Sequence, residues 1–339
     1  MLQHFLFTRY SVRVGADRQG MFGVAADSLL TPERLQMRFD VFRAIALPSV
    51  IAQRDVEFTW CIAVDPEMPA SFRESLEQIL DPFPHFHVVT LPFGSRLNEL
   101  DWVAPFVHPE ADFILSTLLD DDDGLSESYM SEVQTQALAQ IQSGKTWGFA
   151  GAKEGWQWDL LKSDGCELGR VKPWTRRDIQ GNPFFLSAGF SMWAPRSANM
   201  TVFTVGHNLA HVLALLNQLP YIWVRWEWIW RLRTSMFPMV EEKRSFLLGV
   251  QRMLRRMREL RGGSEATGQW ARRVAIVFLE SEVVMSNHGE NSEQLRMEEG
   301  GVKPVWLAGD VSEIHGTRVS SNFIRGAHWM KNTCSLPAQ

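Results

Sequence analysis

Cysteine is nearly absent from this chain. Three in 339 residues, Cys61, Cys166 and Cys334, are too few and too scattered for a disulfide framework or a thiolate metal site, and they fit a reducing compartment. Tyrosine is equally scarce, three against fourteen tryptophans, an aromatic balance that leaves indole rings to fill the core or stack on sugars and bases. No apolar run reaches the roughly 20 residues of a membrane-spanning helix. The best stretch, 212–230, is broken by Asn217, Gln218, Pro220, Arg225 and Glu227. Excess charge is lacking too. A net charge of −5 argues against a general nucleic-acid binder, which would be basic. The opening His4-Phe5-Leu6-Phe7-Thr8-Arg9 reads as a strand and not as a secretory leader. These absences predict a cytoplasmic protein without nucleic-acid partners. The hydrophobic fraction of 45% is enough for one large domain, or one domain plus an appendage.

What the chain does have is four consecutive aspartates, Asp120 to Asp123, directly behind the apolar run Phe113 to Leu119. That run reads as a buried strand, so the carboxylates emerge at its carboxyl end, where open α/β sheets place their ligand crevice. Adjacent carboxylates disfavour each other's charged form, and a divalent cation relieves that repulsion. Hard oxygen ligands suit Mn²⁺, Mg²⁺ or Ca²⁺ and not zinc. The competing reading is a solvated acidic turn before a helix starting near Ser126. In an extended strand end Asp120 and Asp122 would share one face. A turn at Asp123-Gly124 would bring in Asp123 beside them.

Around this feature the pattern alternates strand and helix. Strands are predicted over Leu2–Tyr10, Phe58–Val64, Phe86–Leu91 and Asp112–Leu119, and helices over 31–53, 71–80 and 126–143. The alternation predicts an α/β fold with a mostly parallel central sheet and helices on both faces. Residues 147–174 read as hairpins or an excursion at the sheet edge. Residues 241–261 have helical periodicity, with Leu247, Val250, Leu254, Met257 and Leu260 beside five arginines. That stripe fits a helix docked on its own domain, or a basic amphipathic helix in peripheral contact with an anionic membrane at its inner face. The expected organisation is a core over 1–240, the basic helix and loop over 241–270, and a segment over 271–339 that completes the active site and ends in a helical or irregular tail.

The order of motifs resembles a bacterial rhamnosyltransferase-like family of GT-A type glycosyltransferases. The similarity is carried by Phe7-Thr8-Arg9-Tyr10, by Arg34 to Phe42, by Leu47-Pro48-Ser49-Val50 with Gln53, by the aspartate row with Gly124-Leu125, and by His288-Gly289-Glu290-Asn291. Two positions depart from the family pattern: Leu118 stands where Arg is frequent, and Asp121 stands where Asn is usual. The resemblance implies a GT-A-like nucleotide-sugar-binding fold and transfer of a sugar, rhamnose among the candidates, to a glycan or lipid-linked acceptor.

It also implies roles for individual residues. Thr8, Arg9, Arg38, Asp65, Asp120 and Asp121 would face the nucleotide-sugar donor, with Asp122, Asp123 and a distant histidine, His288 or its competitor His315, at the metal. A surface charge is the alternative for Arg9 and Arg38, and a turn or helix cap for Asp65. Glu227, set among Trp226, Trp228 and Trp230, is the candidate general base for an acceptor hydroxyl. A buried pair with Arg231 is its alternative. The stretch from Asn182 to Ser191 resembles an acceptor-side strand. Other readings of the acidic row are a phosphohydrolase, or a non-catalytic metal-dependent protein that binds carbohydrate or nucleotide.

Overall fold

The computed structural model describes residues 1–13, 29–93, 95–159, 170–175, 185–205, 207, 210 and 274–287. Its main sheet has seven strands in the order β10-β6-β9-β4-β1-β2-β3. These are β1 (Leu2–Tyr10), β2 (Thr59–Val64), β3 (Phe86–Thr90), β4 (Phe113–Leu118), β6 (Trp147–Ala152), β9 (Ser191–Pro195) and β10 (Val274–Leu279). Only β9 runs antiparallel to its neighbours β4 and β6. The parallel strands are near-continuous apolar runs, as expected where both faces of a sheet are covered. The α/β architecture with a mostly parallel central sheet is therefore present.

Side-chain alternation divides the core. Leu6, Trp60, Ile62, Leu115 and Trp193 project to one face, where they meet helices α1 (Pro32–Ala44), α2 (Ala46–Ile51), α3 (Ala70–Leu80) and α4 (Tyr129–Gln142). Phe5, Phe7, Ile114, Phe149 and Met192 project to the other, against the 3₁₀ helix Leu100–Phe106 and residues 198–205. Helices on both faces were expected, but the four α-helices among the described residues share one. The steps β1→β2 and β2→β3 move the same way across the sheet, so right-handed crossovers put α1 and α3 on the same side. The return from β3 to β4 reverses direction, and its 3₁₀ helix lies opposite.

One predicted helix is divided. The expected helix over 31–53 breaks at Ile45 (φ −118, ψ −68) into α1 and α2. Pro48 has no N–H to offer the Ala44 carbonyl four residues back, and its ring crowds that oxygen. Pro48 is accommodated in the first turn of α2, where a free N–H is not needed.

A second sheet has the order β5-β11-β7-β8, from β5 (Gly124–Leu125), β7 (Glu154–Asp159), β8 (Arg170–Thr175) and β11 (Val283–Asn287). The expected edge excursion over 147–174 thus resolves into a main-sheet strand, β6, followed by the antiparallel pair β7–β8. The apolar segment 274–285 also divides, with β10 joining β6 as the edge of the main sheet and β11 joining β5 and β7. Both sheets therefore take strands from beyond residue 271. The basic segment 241–270 lies outside the described residues. Among the described residues no helix is long and apolar enough to cross a membrane.

Candidate functional site

The chain passes from β1 outward to β2 and β3, then returns to lay β4 on the other side of β1. The strand order reverses between β1 and β4, and their carboxyl ends open a crevice of the kind that binds ligands in such sheets. Arg9 leaves β1 there, and the aspartates leave β4 there. Backbone bonds hold the exit: Leu119 N–H donates to the Phe7 carbonyl at 3.0 Å and Leu118 N–H to the Phe190 carbonyl at 2.8 Å. Opposite them, Gly189 N–H donates to the Leu118 carbonyl at 2.8 Å. Gly189 has φ +72, and a Cβ there would lie 2.4 Å from the Tyr129 ring, so the position needs glycine twice over. The Tyr129 hydroxyl fills that space, donating to the Gly189 carbonyl at 2.9 Å and accepting from Ala152 N–H at 3.2 Å.

The aspartates do not extend the strand. Asp123 N–H bonds back to the Asp120 carbonyl at 3.2 Å, so the row is a turn and the expected alternation of Asp120 and Asp122 on one face is lost. Nor is it a solvated loop, because Asp121, Asp122 and Asp123 are all at most 6% exposed. Buried carboxylates need partners. Arg38 on α1 supplies them: its guanidinium grips both oxygens of Asp121, with Nε donating at 2.8 Å, and its Nη1 reaches Asp122 at 3.2 Å. Arg9 donates to Asp120 at 3.0 Å, and its guanidinium stacks 5.6 Å above the Phe203 ring. Arg34, one turn before Arg38 on α1, is half-buried beside them. Burial first, then the Arg38 charge, lowers its pKa against the opposing pull of Asp122.

Asp123 is separate from these arginine clasps. It accepts from Ser286 N–H at 3.3 Å, which joins the row to β11. Burial, then the Asp122 and Asp120 charges, push its carboxyl well above the usual range. On the downstream side Gln53, at the end of α2, donates to the Ser126 carbonyl at 2.8 Å and accepts from Met130 N–H at 2.9 Å. It thereby satisfies one of the free donors at the start of α4. The row is thus held from four directions, by β1 through Arg9, by α1, by β11 and, just downstream, by the α2–α4 clamp.

The other expected donor residues lie elsewhere along the sheet edge. Thr8, predicted to face the donor, is buried, and its hydroxyl accepts from Trp60 Nε1 at 2.9 Å. Residue 8 alternates with Arg9 and so points under α1 instead of into the crevice. Asp65 ends β2 and is neither a helix cap nor open to ligand. Arg13 donates to it from the backbone and Nε, each at 3.0 Å, and from Nη2 at 2.8 Å, and Glu67 N–H adds a turn bond at 2.9 Å. Burial pushes its carboxyl up, but the Arg13 and Glu67 bonds outweigh burial and hold it below the ordinary range. Glu227, His288 and His315 lie outside the described residues.

Sequence reasoning missed Arg13 and the pairing role of Arg38. Arg34 and Arg38 stand at i, i+4 on one helix face, which marks them as a pair. Nothing local, however, marks Arg38 as the partner of carboxylates 83 and 84 positions away. Among the described residues no group of three or more His, Cys, Asp and Glu side chains is arranged to hold a metal ion. In donor chemistry Asp122 and Asp123 still fit a hard divalent cation. They are two adjacent carboxylates, one of them strained by its neighbours' charge, and they offer oxygen alone.

The fold and site together define an α/β protein with an arginine-clasped acidic turn at its switch point. Residues 3–152, from β1 through β6, match the model of the family described as "Putative rhamnosyl transferase". No curated protein matches the chain in sequence. Among solved structures, Staphylococcus aureus TarS 1–349 in complex with UDP-GlcNAc is similar at 14% identity and TM-score 0.26, over 45% of this chain and 35% of that one. The same protein in complex with UDP gives 11% and 0.30, over 63% and 54%. A "putative nucleotide-diphospho-sugar transferase" from Desulfovibrio desulfuricans G20 gives 10% and 0.34, over 98% and 97%. The chain thus spans about a third of the first of these.

Proposed function

We propose that this protein transfers a sugar, rhamnose being the first candidate, from a nucleotide-sugar donor to a hydroxyl of a glycan or lipid-linked acceptor. The observation that carries the reading is the buried aspartate turn at the β1/β4 switch point, inside the stretch that matches the family. The donor's diphosphate lies in the crevice, and Arg9 and Arg38 are the cations nearest to it. Asp122 and Asp123 are the protein ligands for Mn²⁺ or Mg²⁺. The third is His288, two residues beyond the Ser286 amide that holds Asp123. A cation bound there would stabilise, as a Lewis acid, the charge that gathers on the departing nucleoside diphosphate.

The remaining roles belong to side chains of this chain. Asp120 and Asp121 fix the arginines that face the donor, and Asp120, the most exposed of the row, also meets ribose or sugar. Thr8 and Asp65 act from behind, Thr8 by fixing Trp60 and Asp65 by fixing Arg13. Glu227 takes the proton from the acceptor hydroxyl. The reaction takes place in the cytoplasm, and the arginine-rich segment 241–261 is its contact with the membrane face where a lipid-linked acceptor resides.

Calorimetric titration with a panel of nucleoside diphosphates, with and without Mn²⁺, tests the reading. One nucleotide should bind in a metal-dependent way, and Asp122→Ala/Asp123→Ala should lose that dependence. Binding as tight without Mn²⁺ as with it, or binding unchanged in the double variant, removes it.

A further inference from the structure

The clasped aspartates carry a consequence for how the proposed site fills. Asp120, Asp121 and Asp122 are each in contact with an arginine, through Arg9 on one side and Arg38 on the other. Arg34 contributes a third positive charge at Asp122. The turn is therefore largely neutralised from within, although buried carboxylate rows usually depend on a bound cation for this. The same groups are the ones a cation and a diphosphate would need: Asp122 for the cation, Arg9 and Arg38 for the phosphate oxygens. Guanidinium binds carboxylate and phosphate with the same forked geometry, so one can replace the other without loss of hydrogen bonds.

We infer that the site fills by exchange of ion pairs, with the Nη1 arm of Arg38 blocking the metal position by holding Asp122 until a diphosphate draws that arm away. The inference rests on the donor site proposed above. Asp122 changes partner from Arg38 to the cation, and Arg38 changes partner from Asp122 to phosphate, while its fork on buried Asp121 keeps its stem in place. The arrangement suppresses binding of free metal and makes nucleotide and metal enter together. Each ligand then raises the other's affinity by the same factor.

The double variant Arg38→Gln/Asp121→Asn separates this from bulk electrostatics. It removes one positive and one negative charge, so the net charge of the cluster is unchanged, and of the two carboxylates that Arg38 held it leaves only Asp122, with the Arg34 charge beside it, open to the cation. Mn²⁺ binding without nucleotide, read from the free-ion paramagnetic resonance signal, should be about tenfold tighter than in the unmodified protein, the worth of one charge-assisted hydrogen bond released from competition. The single variant Asp121→Asn, which frees one arm of Arg38, should bind nucleoside diphosphate severalfold tighter in the presence of EDTA.

Mn²⁺ affinity in the double variant that is unchanged or weaker overturns the exchange. If the unmodified protein still binds nucleotide with metal, such a result leaves the proposed function standing. Failure of the unmodified protein to bind metal and nucleotide together removes the proposed function itself.

Discussion

Replacing Arg38 by Gln should be among the most damaging single changes to the stability of this protein. Its side chain is 12% exposed, and its guanidinium is shared between Asp121 and Asp122, whose side chains are 1% and 9% exposed. Glutamine cannot reach or neutralise both, so the change strands a charge where water cannot solvate it. Breaking one side of a buried pair costs about 3–5 kcal/mol. For a large domain that lowers Tm by roughly 6–20 °C. Adding Asp121→Asn removes the more deeply buried of the two charges left behind, and the double variant should regain more than half of the loss, an interaction energy of about 2 kcal/mol in a double-mutant cycle. Thermal unfolding of the four proteins at neutral pH, followed by circular dichroism, measures the cycle. A single variant within about 0.5 kcal/mol of the parent, or strictly additive effects, would refute the claim that Arg38 neutralises the turn.

Two other substitutions probe the frame around the site. Asp65→Asn should destabilise the protein at pH 7 by about 3 kcal/mol, since it leaves the Arg13 fork half-satisfied. The Asp65 carboxyl is held below its ordinary value in the folded state, so its contribution is complete above an unfolded pKa of about 4 and is lost as pH falls through the folded value. The gap between parent and variant in urea unfolding should therefore close under acid, and a gap constant from pH 7 down to about pH 2 contradicts the pairing. Gly189→Ala should cost about 2 kcal/mol or more, from positive φ and from collision with Tyr129. If Gly189→Ala costs as much in a Tyr129→Ala background, where neither ring nor hydroxyl is left to meet the new Cβ, the collision account is wrong.

The sequence disclosed the frame better than it disclosed the site. The four strands read from it match β1 to β4 closely, because parallel strands buried on both faces are unbroken apolar runs with turn residues at their ends. The break at Ile45 was also present in the sequence, in Pro48, but the apolar face running through Phe42, Ala46 and Val50 concealed it. The division of 274–285 between two sheets was not legible, since partner choice depends on residues more than a hundred positions away.

For the site, the aspartate row and its place after β4 were evident, whereas its conformation was not. Strand geometry predicted alternation, and the Asp120–Asp123 turn won because Arg38 and Ser286 supply partners that only a turned chain can reach. Thr8 and Asp65 were found by position alone. Position identified the strand ends correctly but could not tell which side of the sheet a side chain faces, nor that Arg13 had already claimed Asp65.

The central claim is that the clasped aspartate turn handles the diphosphate of a nucleotide-sugar. Its most direct test is turnover, incubating the protein with a panel of nucleotide-sugars and Mn²⁺ and following the nucleoside diphosphate released. The account predicts metal-dependent release from one donor, accelerated by a hydroxyl acceptor and abolished by Asp122→Ala/Asp123→Ala. Release of inorganic phosphate from simple phosphoesters, with no nucleoside diphosphate from any donor, would contradict it and identify a phosphohydrolase instead.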